Sequence, residues 1–278
     1  MEFHSEKLVE YVARAQHCSL RQAKNLLDAR RVFVNGRRIW MAKHLVSAKD
    51  EIEIHGFPRG QEKQPHSTQI PILHEAVDTF VVNKPAGLLS NGRNSAEACL
   101  RGQMQLNQIR AVHRLDKGTS GCLCMARSDT AFERMVEHFR QHRILKLYRA
   151  IVSGEPAASG TCTLRLDGQT AVTHWKVLEQ GRGAAFVQMK IDTGRTHQIR
   201  RHFAHLGHPI LGDTEYMTRR ITDQRIRSLP RPMLHAAVFE APLHPDQRIT
   251  RVEAPLPADF RSALKSLNFC FDRRTNET

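Results

Sequence analysis

The chain has 278 residues, of which 40% are hydrophobic, enough to bury a sizeable core in one large domain or two unequal ones. No run of about 18 apolar residues occurs, which excludes a helical membrane span. The mixed charged and apolar start, Met1 to Glu10, lacks the apolar block of a secretion signal, so the cytoplasm is the default location. Lys and Arg number 42 against 28 Asp and Glu, giving a formal net charge of +14 and a pI near 10.0. Such a field attracts polyanions, nucleic acid first; no basic amphipathic helix with an aromatic face argues for an anionic membrane instead.

The first 55 residues or so read as a compact α/β module. Ser5 is placed to cap a helix whose apolar residues Leu8, Val9, Val12 and Ala13 share one face. A second helix is expected from Ser19, which has capping-box spacing with Gln22. Ala23, Leu26 and Leu27 form its apolar stripe, and Arg21, Lys24, Arg30 and Arg31 lie opposite. Asn35-Gly36 between Val32-Phe33-Val34 and Arg37-Arg38-Ile39 is a hairpin signal, because both turn residues tolerate positive φ. Glu51 to Ile54 alternates like a half-buried strand. Residues 57–70, polar and carrying Pro58 and Pro65, read as a linker.

From there to about residue 272 the pattern is one strand-rich mixed domain. Extended segments are expected at Thr79–Asn83, Gly121–Ala126, Tyr148–Val152, Thr161–Leu166 and Ala184–Ile191. Helical spacing of Ala131, Phe132, Met135, Val136 and Phe139 predicts a helix from about Ser128 to His142; a second is expected from Thr196 to Leu206, ended by Gly207. Six cysteines form no CxxC pair, and Cys122-x-Cys124 reads as part of a buried strand. His197, His202, His205 and His208 have spacings that could place two ligands on a helix face, but no HExxH and no nearby Cys completes a metal site.

The segment richest in chemistry is His113-Arg114-Leu115-Asp116-Lys117-Gly118-Thr119-Ser120-Gly121. It is a polar loop entering an apolar strand, with two glycines for tight turns and one carboxylate among His113, Arg114 and Lys117. On residues alone, a structural ion pair and a catalytic carboxylate are both open. The segment resembles the HRLDxxTSG signature of pseudouridine synthases that modify uridine mainly in large-subunit ribosomal RNA and in some transfer RNAs. Asn83-Lys84-Pro85-Ala86-Gly87 resembles the family's NKPxG motif. Lys146 to Gly154 resembles KxYxAxVxG, and Thr193 to Arg200 with Gly207-His208-Pro209-Ile210 and Gly212-Asp213 resembles TGRTHQIR…GHPIxGD. Leu234-His235-Ala236 and Ala254-Pro255-Leu256-Pro257 are similar to the family's end. Met217 departs from it, where Gly is common.

The resemblance implies that Asp116 is the essential carboxylate, that Tyr148 stacks on the target base, and that Arg195 pairs with Asp116. It further implies that Arg114 helps hold the nucleotide out of its helix, and that Gln198 and Arg200 orient loops or touch phosphate. The N-terminal module resembles the alpha-L RNA-binding domain of a small-subunit ribosomal protein, through Ser19 to Ala23, Val34-Asn35-Gly36 and Asp50-Glu51-Ile52. Arg30 and Lys49 stand where that family often has Gly. RNA contacts are accordingly expected from Arg21, Lys24, Arg30, Arg31 and Arg37.

The expected architecture is α+β. A mixed, mainly antiparallel β-sheet catalytic domain with flanking helices (71–278) follows a small α/β RNA-binding domain (1–56) and the linker. The reaction so implied needs no metal and no organic cofactor. The expected partner is structured RNA, ribosomal first and transfer RNA second, met by a monomer with no membrane involvement. A non-catalytic RNA-binding or ribosome-assembly factor is the alternative. A phosphate-binding nucleotide enzyme is excluded, since neither GxxxxGK[ST] nor a GxGxxG after a strand is present.

Overall fold

The computed structural model describes residues 5–16, 18–28, 32–39, 41–47, 50–54, 69–217, 229–244, 246 and 248–269. The chain divides into two compact units, Met1–Gln64 and Pro65–Thr278.

The smaller unit runs β1 (Glu6–Lys7), α1 (Leu8–Ala15), α2 (Leu20–Asp28), β2 (Val32–Val34), β3 (Arg37–Arg38), β4 (Leu45–Val46) and β5 (Ile52–Ile54). Ser5 does not cap α1. Glu6 and Lys7 pair instead with Val46 and Leu45, and the extended backbone of Lys7 leads into the helix without a side-chain cap. Leu8, Val12, Ala23, Leu26, Leu27, Val32, Val34 and Val46 pack into one small core. Asn35 and Gly36 have φ of 50° and 72°, as a two-residue turn between right-twisted strands requires. The Asn35 side chain also ties the turn to β5, accepting from the Glu51 N–H and donating to Asp50.

The larger unit follows as β6 (Ile72–Glu75), β7 (Thr79–Lys84), α3 (Ala96–Met104), β8 (Arg110–Ala111), β9 (Ser120–Ala126), α4 (Asp129–Arg140), β10 (Leu145–Ser153) and β11 (Ser159–Cys162). It continues with β12 (Thr173–Gly181), β13 (Ala184–Ile191), α5 (Gln198–His205), β14 (Leu234–Pro242), β15 (Ile249–Glu253) and α6 (Ala258–Ser266). One sheet takes the order β11-β12-β13-β10-β14-β9-β7-β6, with β15 on β14 and β8 on β9. Its pairs are antiparallel except β14 with β9, where His235 and Ala236 lie beside Ser120 and Gly121. Two antiparallel halves therefore meet at the start of β9, directly after the Asp116 loop. Residues 57–68 of the expected linker lie outside the described residues. Ile70, placed in that linker by composition, is fully buried and bonded through its backbone to the Gln103 amide.

Alternation along β9 explains the layering. Leu123 and Met125 face a core shared with Ala96 and Leu100 of α3 and Ile199 and Phe203 of α5. Cys122, Cys124 and Ala126 face the other side, under Ala131 and Met135 of α4. A third core sets Ala184 and Phe186 of β13 against Phe260, Ala263 and Leu264 of α6. Ser128 caps α4 by accepting from the Ala131 N–H. The expected strand at 161–166 is shorter and earlier, and α3 and α6 were not foreseen: α3 has a weak apolar period. Met217 lacks the positive φ that a Gly would suggest and packs against the third core.

The loop before β9 is pinned at several points. The buried Ser90 hydroxyl accepts from the Leu115 N–H and donates to the Leu115 carbonyl. The Gly87 N–H donates to the Lys117 carbonyl at 2.7 Å. Arg231, held by Asp259 through two bonds, donates to the Gly118 carbonyl at 3.1 Å. Lys84, fully buried, secures the neighbouring turn by donating to the carbonyls of Pro85 and Leu88 at 2.9 and 2.7 Å. Gly121 is where β14 comes closest. At φ +112° a Cβ there would sit 2.1 Å from the Ala236 carbonyl oxygen.

Gly121→Ala is therefore expected to cost about 3 kcal/mol or more in urea denaturation, through combined strain and overlap. Lys84 supplies a pH test. Burial lowers its pKa to about 7, against an ordinary lysine near 10.5, so between these values the unfolded chain binds more protons than the native one. Stability from this site rises with pH across that window and the penalty is complete below about 7. The unfolding free energy of the protein relative to its Lys84→Met variant should increase from pH 7 to 9, by up to about 1.4 kcal/mol per pH unit.

Candidate active site

Asp116 lies in a cleft of about 890 Å³ whose walls include His113 to Lys117, one side of α4, Lys146 and Tyr148 of β10, and the segment from Ile191 to His197. A smaller adjoining pocket beside Asp116 is bounded by Thr119, Tyr148, Ile191, Gln198, Ile199 and Leu234. The sheet sets this geometry: Asp116 precedes β9, Tyr148 projects from β10, and the third wall is the turn between β13 and α5.

An arginine and a histidine approach the Asp116 carboxylate without clasping it. Arg200 Nη1 is 3.8 Å from Oδ2, and His197 Nε2 is 3.8 Å from Oδ1. The Arg200 guanidinium is committed elsewhere, through Nε and Nη2 to Asp213 at 2.6 and 2.8 Å and through Nη2 to Glu215. His197 holds a left-handed backbone, φ 53° and ψ 28°, at the start of α5, with Nδ1 at 3.0 Å from the Tyr216 hydroxyl. That conformation is rare for a non-glycine residue, and here it turns the ring toward Asp116. Desolvation pushes the Asp116 pKa above the usual carboxylate range; His197, Arg200 and Lys84 act against that rise. Tyr148 is buried, and burial together with the Asp116 charge raises its phenol, so the hydroxyl stays protonated.

The structure rearranges several expected roles. Arg195 was expected to pair with Asp116. It lines the cleft, but its Nε donates to the Thr170 carbonyl at 3.2 Å and Arg200 takes the place beside the carboxylate. The two arginines stand five residues apart across the first turn of α5, and the motif spacing does not reveal which one turns inward. Gln198 and Arg200, considered for phosphate contact, are 3% and 7% exposed. Gln198 ties the turn together: its carbonyl accepts from the Thr193 hydroxyl and the Arg195 N–H, and its amide donates to Val172 and Thr173. His113 is not a cation. Burial lowers its pKa to about 3, its Nε2 accepts from the Cys124 N–H, and its ring stacks on Phe239.

Arg114 is exposed and lines the cleft. Arg21 and Lys24 are exposed on α2. Arg30, Arg31 and Lys49, and the side chain of Arg37, lie outside the described residues. His202 bonds Thr173 and the Leu164 carbonyl, and His208 bonds the Ser153 carbonyl. Among the described residues no three His, Cys, Asp or Glu side chains group as a metal ion would require. None of their helices is long and apolar enough to cross a membrane. Sequence reasoning did not place His197 or Lys84 beside Asp116 and passed over Ser90. A lysine closing the apolar run Phe80-Val81-Val82 was the one available signal.

Comparison with known proteins fits this geometry. The family model for RNA pseudouridylate synthase matches residues 78–205, which contain Asp116, Tyr148, Arg195 and Arg200. A ribosomal large subunit pseudouridine synthase D of Xylella fastidiosa is 34% identical over 73% of this chain and 71% of its own length. A protein of the same name from Escherichia coli O157:H7 is 27% identical over 91% and 87%. The solved structure of human RNA pseudouridylate synthase domain containing 4 aligns with a TM-score of 0.64 and 25% identity, covering 73% of this chain and 95% of that one. The mainly antiparallel sheet, the aspartate at its central junction and these similarities together place the chain in the RNA pseudouridylate synthase family of isomerases.

Proposed function

We propose that this protein isomerises uridine to pseudouridine in large-subunit ribosomal RNA, in the cytoplasm and as a single chain, with Asp116 as the catalytic carboxylate. The observation that carries the assignment of roles is the shared cleft. The Asp116 carboxylate and the Tyr148 ring border the same small pocket, and Arg200 and His197 stand 3.8 Å behind the carboxylate. The substrate class is supported by the two bacterial relatives named for the large ribosomal subunit and by the +14 net charge.

The uridine leaves its stack and enters the pocket, at a cost of a few kcal/mol. Tyr148 offers the base an aromatic plane and a protonated hydroxyl. The ionised Asp116 starts the exchange. The bond from uracil N1 to the ribose C1′ breaks, the base turns, and C5 bonds to C1′. The C5 proton leaves and N1 gains one, so no atom is added or lost overall and neither a metal nor an organic cofactor is required. Arg114 holds the strand at the cleft, Arg195 meets it at the opposite wall, and Arg21 and Lys24 of the smaller unit add phosphate contacts.

Tritium release from RNA labelled at uridine C5 tests this reading. Wild-type protein should release tritium from protein-free large-subunit ribosomal RNA. Asp116→Asn should lose ~10²–10⁴-fold in rate while binding the RNA within a few-fold of wild type. A variant keeping more than about a hundredth of the rate would contradict the role of Asp116. Release from transfer RNA alone would replace the substrate, and release from neither, with binding intact, would leave a non-catalytic RNA-binding protein.

A further inference from the structure

The cleft is far larger than one uracil requires, and its outer part is built differently from the pocket at Asp116. One wall is the face of α4 that carries Phe132, Val136 and Phe139, with Arg140 at its end. Facing it is Lys146, two residues before Tyr148 on β10. Residues two apart on a strand project to the same side, roughly 6.6 Å from each other along the chain, and both side chains line the cleft.

Lys146 is a cation that the described interactions do not neutralise. Its ammonium lies 5.2 Å from the centre of the Phe139 ring. The carboxylate that acts on it, Asp192, is already engaged by Lys190 at 3.3 Å and by His174 at 2.8 Å. His113 beside it is neutral. Partial burial lowers the Lys146 pKa to about 8, so the ammonium persists at neutral pH, in a setting where an added negative charge would be worth more than on the open surface. The charge of the whole cleft is complementary to a strand: Arg114, Lys117, Arg140, Lys146 and Arg195 against Asp116 and Asp192.

We infer that the outer cleft is a subsite for the nucleotide adjoining the target uridine, with Lys146 binding the backbone phosphate between the two and the α4 face receiving the unpaired neighbouring base. The inference rests on the isomerase reading for the identity of the target. It assigns Lys146 a task that neither the chemistry at Asp116 nor the packing of β10 requires. Val136 and the side of Phe132 not covered by the Arg110 guanidinium, which lies 3.6 Å from that ring's centre, supply apolar surface for a splayed base, which suits single-stranded rather than paired RNA. The enzyme would therefore read at least two consecutive unpaired nucleotides.

The test is the salt dependence of binding, measured with the RNA from which wild-type protein releases tritium and in an Asp116→Asn background that prevents turnover. Each phosphate contact contributes about 0.7 to 0.9 to the slope of log affinity against log salt. Lys146→Met, which keeps the stem over Phe139, should lower the slope by that amount, and Lys146→Arg should restore it. In turnover, Lys146→Met should raise KM about tenfold with kcat within a few-fold. Lys146→Gln gives the same readouts if the methionine variant unfolds. A folded variant with an unchanged slope and unchanged KM overturns the subsite, whatever its melting temperature. If wild type releases no tritium from any RNA, the isomerase reading fails by itself. The slope, then measured on large-subunit ribosomal RNA, still decides whether Lys146 binds phosphate.

Discussion

Asp116 is a carboxylate drawn partly out of water beside an arginine and a histidine that approach but do not clasp it, and the rest of the structure is arranged around that condition. A closer clasp by Arg200 would neutralise it, and open solvent would leave it an ordinary surface charge. Desolvation raises its proton affinity while His197, Arg200 and Lys84 lower it, leaving a carboxylate more basic than in water. The 3.8 Å spacing survives because Arg200 is anchored elsewhere. Asp213, 1% exposed, holds two of its nitrogens, so the guanidinium cannot move onto Asp116 without abandoning a buried partner. Breaking a buried pair of that kind typically costs about 3–5 kcal/mol.

The frame behind the loop is as specific as the loop. Ser90 closes on both polar groups of the Leu115 backbone, Gly87 on Lys117, and Arg231 with Asp259 on Gly118. These anchors come from the segment after β7, the segment before β14 and the first turn of α6. Parts of the chain more than a hundred residues apart therefore converge where the two antiparallel halves of the sheet meet in parallel. The placement of Asp116 is thus a property of the sheet topology, which explains why the motif carries so little information about its own geometry.

The sequence made some of this legible and not the rest, for physical reasons. Periodicity located α4 and the strand Ala184–Ile191, because each has one apolar face or two. Asn35-Gly36 announced its turn through backbone chemistry alone. Motifs identified Asp116 and Tyr148 as members of one site. They could not tell which arginine of the α5 turn reaches the carboxylate, since that rests on tertiary anchors, Asp213 for Arg200 and the Thr170 carbonyl for Arg195. Nor could they show that His113, adjacent to Arg114 in sequence, is half-buried as a neutral acceptor. Burial of Lys84 and the reach of Arg231 are tertiary facts with no local pattern. The face of Lys146 was implicit in its spacing from Tyr148, but that no carboxylate among the described residues is given over to it emerges only once Asp192 is seen to be engaged by Lys190 and His174.

The most direct test of this account is the titration of Asp116 itself, followed by carboxyl carbon NMR of aspartate-labelled protein and assigned with Asp116→Asn. The account predicts an apparent pKa above the ordinary aspartate value of about 3.9, moving further up in His197→Gln because the interaction with His197 holds it down. A value at or below about 3.9 that ignores His197 would mean that Asp116 is solvated or fully paired, and the cleft would lose its claim to a carboxylate tuned for catalysis.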